Sequence, residues 1–591
     1  MTYQAPLADI GFALKHGAAL DRAIEQGLFG ELTLDDVDAV LTEAGRFAGE
    51  VIAPLNRIGD TVGTPFKDGV VTTAPGWKEA YKAWREGGWN AVTAPLEWGG
   101  HALPQTVQAA CTEMWHAASI GFANGPMLTM AGIDALDVHG SEVLKKTYLE
   151  KLVSGEWMAT MQLTEPQAGS DVGALRTRAE RGPDGSYRLF GQKIFITYGE
   201  HDFTDNIIHF VLARLPDAPP GTRGISLFLV PKFMLKPDGT LGARNDVRAH
   251  SVEHKLGIHG SPTCTMIFGD AGGAIGFLIG EENAGMACMF TMMNRARLSV
   301  GLQGVGIAER ATQQALAYAR DRRQGRATGM KAGESAPIIA HPDVRRMLLT
   351  MSALTKAARA ICYTTAMTLD RAERTTDDAT RQAAADRASL LTPLAKAFST
   401  DIGNEVTSLG VQVHGGMGFI EETGAAQHFR DARIAAIYEG TNGIQAIDLV
   451  TRKLPLENGA VVAAHIGELR GIVEGLSASN DPAFGWTALR LKEAVDSLSR
   501  ATDWLLACLD KEPDTALAGA TPYLRLFGLA TGGCLLAQEG LAAQRLNAEA
   551  TARVAVARFF AENYAVQANA LERTVVEGAA GVLNADAVFA S

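Results

Sequence analysis

Basic charge is in short supply here: 54 Lys and Arg stand against 66 Asp and Glu, leaving a net charge of −12. That balance argues against a protein held to nucleic acid by a basic footprint. Cysteine is scarce as well. Six are scattered along the chain (Cys111, Cys264, Cys288, Cys362, Cys508, Cys534), with no CxxC and no His at ligand spacing. This argues against a metal site or a disulfide framework and fits buried thiols in a reducing compartment, so a cytoplasmic location is expected. No apolar run reaches the roughly 18 residues needed to span a bilayer, so no membrane span is expected. The opening "MTYQAPLADIGFALKHG" lacks a basic region followed by an apolar core, so no secretory signal is expected. Walker, HExxH and GxSxG motifs are missing, as is any internal repeat.

What is present is a soluble, globular composition, 47% hydrophobic and 20% charged. At 591 residues the chain is too long for one core and is expected to form three to four units. Residues 1–158 read as helical; "ELTLDDVDAVLTEAGRFAGEVIAPL" carries apolar residues at helical spacing until Pro54 stops it. Over 159–280 the pattern turns to short β-branched and aromatic runs such as "YRLFGQKIFIT", "IIHFVLAR" and "ISLFLVPK", separated by Gly, Pro and Asp. That stretch suits a small antiparallel barrel or sandwich. Long Ala-rich amphipathic segments over 281–454 predict a helix bundle. "KLPLENGA" reads as a linker, and 455–591 as a helical extension. The fold class is therefore α+β, mainly α.

Five clusters could carry chemistry. "MQLTEPQAGSDVGAL", Met161 to Leu175, offers hydroxyls and a small-residue turn able to approach a flat ring or a phosphate chain. An ordinary connection would look the same. In "GQKIFITYG", Phe195 and Thr197 alternate along a strand and so share one face, suited to a cofactor ring. "NRARLSVGLQGVGIAERATQQALAYARDRRQGR" places Arg295 and Arg297 near a helix start and Arg322 near its end; arginine forks suit phosphate, although cations at a helix C-terminus are favourable anyway. "QVHGGMGF" is a Gly-Gly-x-Gly turn after a helix that can wrap a pyrophosphate. Neither it nor "GLQGVG" follows a strand, which excludes a dinucleotide-binding βαβ unit. Finally, "IYEGTNGIQ" sets Glu439 between an aromatic and a glycine-rich turn; a solvated helix-end Glu before a glycine cap is the simpler reading of those residues alone.

Each cluster is weak alone, but their order is specific. "LTEPQAGSD", "GQKIFIT", "KLGIHGSPTC", the Arg-rich helix, "QVHGGMGF" and "RDARIAAIYEGTNGIQ" follow one another as in the acyl-CoA dehydrogenases, which the chain resembles over about residues 35–455. The helical extension resembles the larger branch of that family, which includes 3-methylmercaptopropionyl-CoA dehydrogenases and long-chain fatty acyl-CoA dehydrogenases. The resemblance implies FAD as cofactor, an acyl-CoA thioester as substrate, an acceptor such as electron-transfer flavoprotein and a homodimer. The expected reaction is α,β-dehydrogenation to the trans-2-enoyl-CoA, with a flavin oxidase on the same fold or a non-catalytic scaffold as competing readings.

By the same resemblance Glu439 is the proton acceptor; Ala296 stands where some members carry the base instead. Met161, Leu163, Thr164, Phe195 and Thr197 match contacts to the flavin ring. Ser170 lies where flavin and acyl-CoA both pass. Arg322 matches the arginine that reaches the FAD diphosphate of a neighbouring subunit, and Gln412, Gly415 and Gly416 the adenosine-side turn. Thr441 and Asn442 match cofactor contacts after the base, Asn294 and Arg297 positions along the CoA chain, and Gly440 a substrate contact. Two departures stand out: "RRQGR" replaces the usual segment after Arg322, and Pro342 replaces a common Gln.

Overall fold

A computed structural model describes residues 3–331 and 333–590. Helices fill the first part of the chain, with one element the periodicity did not announce, a two-stranded ribbon pairing Phe66–Lys67 with Val70–Val71. Two helices form the inner wall of this part: α1 (Gln105–Ala118) and α2 (Ile120–His139). Both are buried almost all round, as expected of helices enclosed by protein. Trp77, Trp84 and Trp115 are fully buried around them.

The middle of the chain is a barrel. Its strands are β1 (Met158–Gln162), β2 (Arg178–Arg181), β3 (Tyr187–Thr197), β4 (Ile207–Arg214), β5 (Ile225–Pro231), β6 (Val247–Val252), β7 (Thr263–Phe268) and β8 (Ala274–Ile279). The eight-stranded sheet runs β6-β7-β3-β8-β5-β4-β1, and β2 pairs with both β3 and β4, which closes a ring β3-β8-β5-β4-β2. Closure removes most free edges. Pairing is antiparallel except that β1 and β2 run parallel to β4. β4 and β5 are buried nearly throughout, so they read as continuous apolar runs rather than alternating ones.

Three long helices follow: α3 (Gly285–Asp321), α4 (Pro342–Arg374) and α5 (Asp378–His414). They pack on one another and α3 also lies against α1. The glycines of "GLQGVG" serve this packing: a Cβ on Gly304 would sit 2.3 Å from the Ser399 carbonyl oxygen, so the backbones of α3 and α5 touch there. Short helices cross one end of the bundle, among them α6 (Asn442–Asp448). "KLPLENGA" is an irregular connection in which Glu457 and Asn458 both take the left-handed conformation.

The extension beyond it folds back onto the bundle. Its central helix α7 (Ala520–Leu546) packs against α4, α5 and α6. Arg525 of α7 pairs with Glu405 of α5 at 3.0 Å, and the Tyr564 hydroxyl meets the Thr350 hydroxyl at 3.0 Å. By length and composition α7 is long and apolar enough to cross a membrane, which corrects the expectation that no segment is. In this fold 89% of that apolar stretch is buried inside the protein. A helix covered by protein on all sides needs no polar stripe. Near Asp9 the N-terminal segment, bundle and extension converge: Arg359, 1% exposed, pairs with Asp9, Glu113 and Glu309, while Arg553 of the extension also reaches Asp9, at 3.0 Å.

Candidate active site

The turn carrying Glu439 lies between α5 and α6. Glu439 itself takes a left-handed conformation, φ 56°, unusual for a residue with a Cβ and a common mark of a functional turn. Gly440 follows at φ 83°; a Cβ there would come within 2.6 Å of the Gln445 amide nitrogen, so only glycine fits. The Gln445 side-chain amide donates to the carbonyls of Glu439 (3.3 Å) and Gly440 (3.4 Å). Lys396 of α5 donates to the Gly440 carbonyl at 2.9 Å. On the other side, the Tyr438 hydroxyl donates to Gln303 of α3, whose amide donates to Asn124 of α2 (2.7 Å) and faces His116 of α1 (3.0 Å). The turn is thus held by α3, α5 and α6, with α1 and α2 bracing Gln303 behind it.

Electrostatics follow from that enclosure. Burial pushes the Glu439 carboxyl above its ordinary range, opposed by the charges of Arg297 and Lys396. Arg297 is only 8% exposed and its guanidinium lies 4.0 Å from the Asp448 carboxylate. The structure turns the Arg297 guanidinium inward beside Asp448, from where its charge acts on Glu439. Asn294, a turn earlier on α3, is exposed. Ala296 is fully buried.

The barrel contributes a second wall. Met161 and Leu163 pack in the same cluster as Met127 and as Met292, Met293 and Ala296 of the N-terminal part of α3. Phe195 sits in a β-bulge between β3 and β7 at φ 60°, with its ring 61% exposed. Thr197 is half-exposed beyond the buried Ile196, and the bulge interrupts the regular alternation of the strand at this point. The loop after β1 is anchored by a buried ion pair: Lys193, fully buried in β3, donates to Glu165 at 2.8 Å and to the Leu163 carbonyl at 3.0 Å. Thr164 accepts the Ile194 N–H at 2.9 Å through its carbonyl, and Ser170 is exposed at the tip.

Two expected contacts have other employment. Thr441 caps α6, its hydroxyl accepting the Ile444 N–H at 3.2 Å. Asn442 is turned into the bundle, donating to Asp401 (2.7 Å) and Thr400 (3.0 Å) and accepting from Lys396 (2.9 Å). Its side-chain amide is thus engaged by protein on both its nitrogen and its oxygen.

The remaining residues lie elsewhere. Arg322 ends α3; Gln412, Gly415 and Gly416 end α5; Tyr318 and His414 stack at 4.5 Å and bring the two ends together. At 1.5 Å per residue, Arg322 stands about 30 Å along α3 from Gln303, and Gly415 a similar distance along α5 from Lys396. One chain therefore does not bring its Arg322 cluster to its own Glu439. Both clusters suit FAD. The Phe195 ring offers a stacking surface beside open backbone, Gly415 and Gly416 have open space where a Cβ would be, and the exposed Arg322 has no carboxylate partner among the described residues. Sequence reasoning missed Lys396, Gln303, Gln445 and the Lys193–Glu165 pair. For Lys396 a signal existed, a lone cation in the apolar run "LLTPLAKAF".

Comparison with known proteins matches these regions one by one. Models of the acyl-CoA dehydrogenase N-terminal, middle and C-terminal domains match residues 35–156, 160–271 and 283–454, and an acetyl-CoA dehydrogenase C-terminal-like model matches 465–586. The chain is 47% identical to the 3-methylmercaptopropionyl-CoA dehydrogenase of Ruegeria pomeroyi over 99% of this chain and 100% of that one. It is 35% identical to a butyryl-CoA dehydrogenase of Syntrophomonas wolfei over 95% of each. An acyl-CoA dehydrogenase of Bacillus anthracis solved with FAD shares the fold at a TM-score of 0.74 and 21% identity, covering 94% of this chain and 91% of that one. The chain belongs to the acyl-CoA dehydrogenase family: it is an FAD-dependent oxidoreductase that dehydrogenates acyl-CoA thioesters.

Proposed function

We propose that Glu439 removes the α proton of an acyl-CoA whose acyl group is 3-methylmercaptopropionyl or a close short-chain relative. The observation that carries the reading is Glu439 itself, a carboxylate in a left-handed turn held by α3, α5 and α6. Bound FAD supplies the acceptor for the β hydride. The chain's own residues do the rest. Burial raises the proton affinity of Glu439 and makes it a stronger base, and the charges of Arg297 and Lys396 oppose that rise. The pinned Glu439–Gly440 turn fixes where that carboxylate points, and fixed geometry lowers the barrier to proton transfer. Ser170 and Gly440 are the polar positions assigned to the substrate.

The acyl assignment is supported by the 47% identity, end to end, to a relative bearing that name. A panel of thioesters tests it: kcat/KM is expected to be highest for the methylthio-propionyl and four-carbon thioesters. A preference for chains beyond about ten carbons would reverse the assignment, because each further methylene adds on the order of 1 kcal/mol in a matching apolar pocket.

The working unit is proposed to be a homodimer in the cytoplasm, passing electrons to an electron-transfer flavoprotein. Separation of the Arg322 cluster from Glu439 supports the dimer, since the two ends of one cofactor would then be held by two chains. Met417, Phe419 and Ile420, exposed on the Gly415 turn, offer an apolar surface for that contact. The extension, lying on α4 and α5, covers a bundle face that a second dimer would otherwise use. Arg322→Ala is expected to weaken FAD binding roughly 10–100-fold, the worth of one charge-assisted contact, with KM for acyl-CoA little changed. Fluorescence titration of apoprotein with FAD checks it, and light scattering near four chains, or an FAD-loaded monomer, would overturn the quaternary reading.

A further inference from the structure

We propose that Lys396 is a positioning residue for the base: its ammonium locks the turn that aims Glu439 and supplies the positive charge that favours the carboxylate. The proposal rests on Glu439 being the base. Lys396 lies in the middle of α5, flanked by Ala395, Ala397 and Phe398, and its residue is 0% exposed. Lysines are almost never buried so fully unless they are paired. Here no carboxylate lies within ion-pair distance among the described residues. Its Nζ donates instead to the Gly440 carbonyl and the Asn442 side-chain oxygen, both at 2.9 Å.

The orientation of Asn442 is forced. Its amide nitrogen, with two hydrogens, faces the acceptors of Asp401 (2.7 Å), Thr400 (3.0 Å) and Ala397 (3.2 Å), which turns the oxygen towards Lys396. A single polar chain, Asp401–Asn442–Lys396–Gly440, therefore runs from α5 into the residue after the base. Lys396 and Gln445 hold the Gly440 carbonyl from two sides.

The charges facing Lys396 come from three elements: Glu439 in the turn, Asp401 on its own helix and Arg297 on α3. Desolvation outweighs them and brings the ammonium down to about 7, so its charge is held at some cost close to neutrality. A lysine serving packing alone gains nothing from this placement, since a neutral donor would hold the carbonyl without burying a charge.

Lys396→Met and Lys396→Gln, each read as FAD-loaded holoprotein, test the idea. Both remove the positive charge, while Gln keeps a side-chain donor. Loss of a cation beside Glu439 makes its carboxylate form only at higher pH. The acid limb of kcat/KM is therefore expected to move up by about one unit in both variants. kcat is expected to fall roughly 10–100-fold in Lys396→Met, where the turn is also released, and less in Lys396→Gln. A variant that holds FAD and keeps the wild-type acid limb overturns the proposal. So does failure of both variants to fold or hold FAD, which would mark Lys396 as structural. Near-normal turnover in Glu439→Gln would instead overturn the assignment of the base, whatever Lys396 does.

Discussion

Replacing Glu439 with Gln is expected to lower kcat by roughly 10²–10⁴-fold while the protein stays folded and keeps its FAD. The substitution preserves shape and removes only the group that accepts the proton. The backbone strain of the left-handed turn is the same for Glu and Gln, so folding should not suffer from that source. Burial works the other way for the charge. Glu439 has its proton affinity raised in the folded protein, so holding it as a carboxylate costs stability once pH rises above its unfolded value, about 4.3. Neutral Gln removes that cost, and the variant should melt at the wild-type temperature or slightly above it. A dead enzyme that melts no earlier would place the conflict between stability and activity at this one residue. Near-normal turnover in a folded, FAD-loaded variant would remove Glu439 from the mechanism. The wild-type profile gives a companion check, since kcat/KM should fall with decreasing pH through a value above the ordinary carboxylate range.

Residues whose role depends on local pattern could be read from the chain. The barrel followed from β-branched runs between Gly, Pro and Asp, and the long helices from Ala-rich periodicity. Glu439 could not be read that way; by itself its segment is a glycine-capped helix end, and only the order of several weak motifs singled it out. The residues that hold the turn were invisible for a physical reason. Lys396 and Gln303 lie far from Glu439 in sequence and meet it only because α3 and α5 approach closely at Gly304. Arg297 was placed along the CoA chain by family resemblance alone. Its inward turn is set by Asp448, a partner about 150 residues away that no spacing rule connects. Helix α7 was missed as an apolar element because Arg525 and Glu539 break the run, although most of the helix, Glu539 included, is covered by protein.

The largest effect on stability is expected at Lys193, not at the base. Its side chain is fully buried between β3 and the loop after β1, and Glu165 beside it is 3% exposed. Burial would raise the Glu165 carboxyl, but Lys193 and hydrogen bonds from its neighbours outweigh it and bring it down to about 2. Those neighbours are the backbone N–H groups of Arg176 (2.7 Å) and Thr177 (3.0 Å) and the Gln167 amide (2.7 Å). Lys193→Met leaves this carboxylate buried without its counter-charge, which costs about 3–5 kcal/mol when a buried pair is broken on one side. The three remaining donors soften the loss, so the lower end of that range is expected. Function should fall with it, because Lys193 also fixes the Leu163 carbonyl at the start of the loop that presents Thr164 and Ser170. Denaturant unfolding and FAD content should therefore drop together. Adding Glu165→Gln should recover part of the stability, since it removes the stranded charge and keeps an acceptor for the loop amides. Glu165 also predicts the acid behaviour of the wild type. With its affinity for protons lowered, it contributes stability above about pH 4 that is lost as pH falls towards 2. A Lys193→Met protein that matches the wild type in denaturation midpoint and bound FAD would show that the pair is dispensable and that the loop is held by its backbone bonds alone.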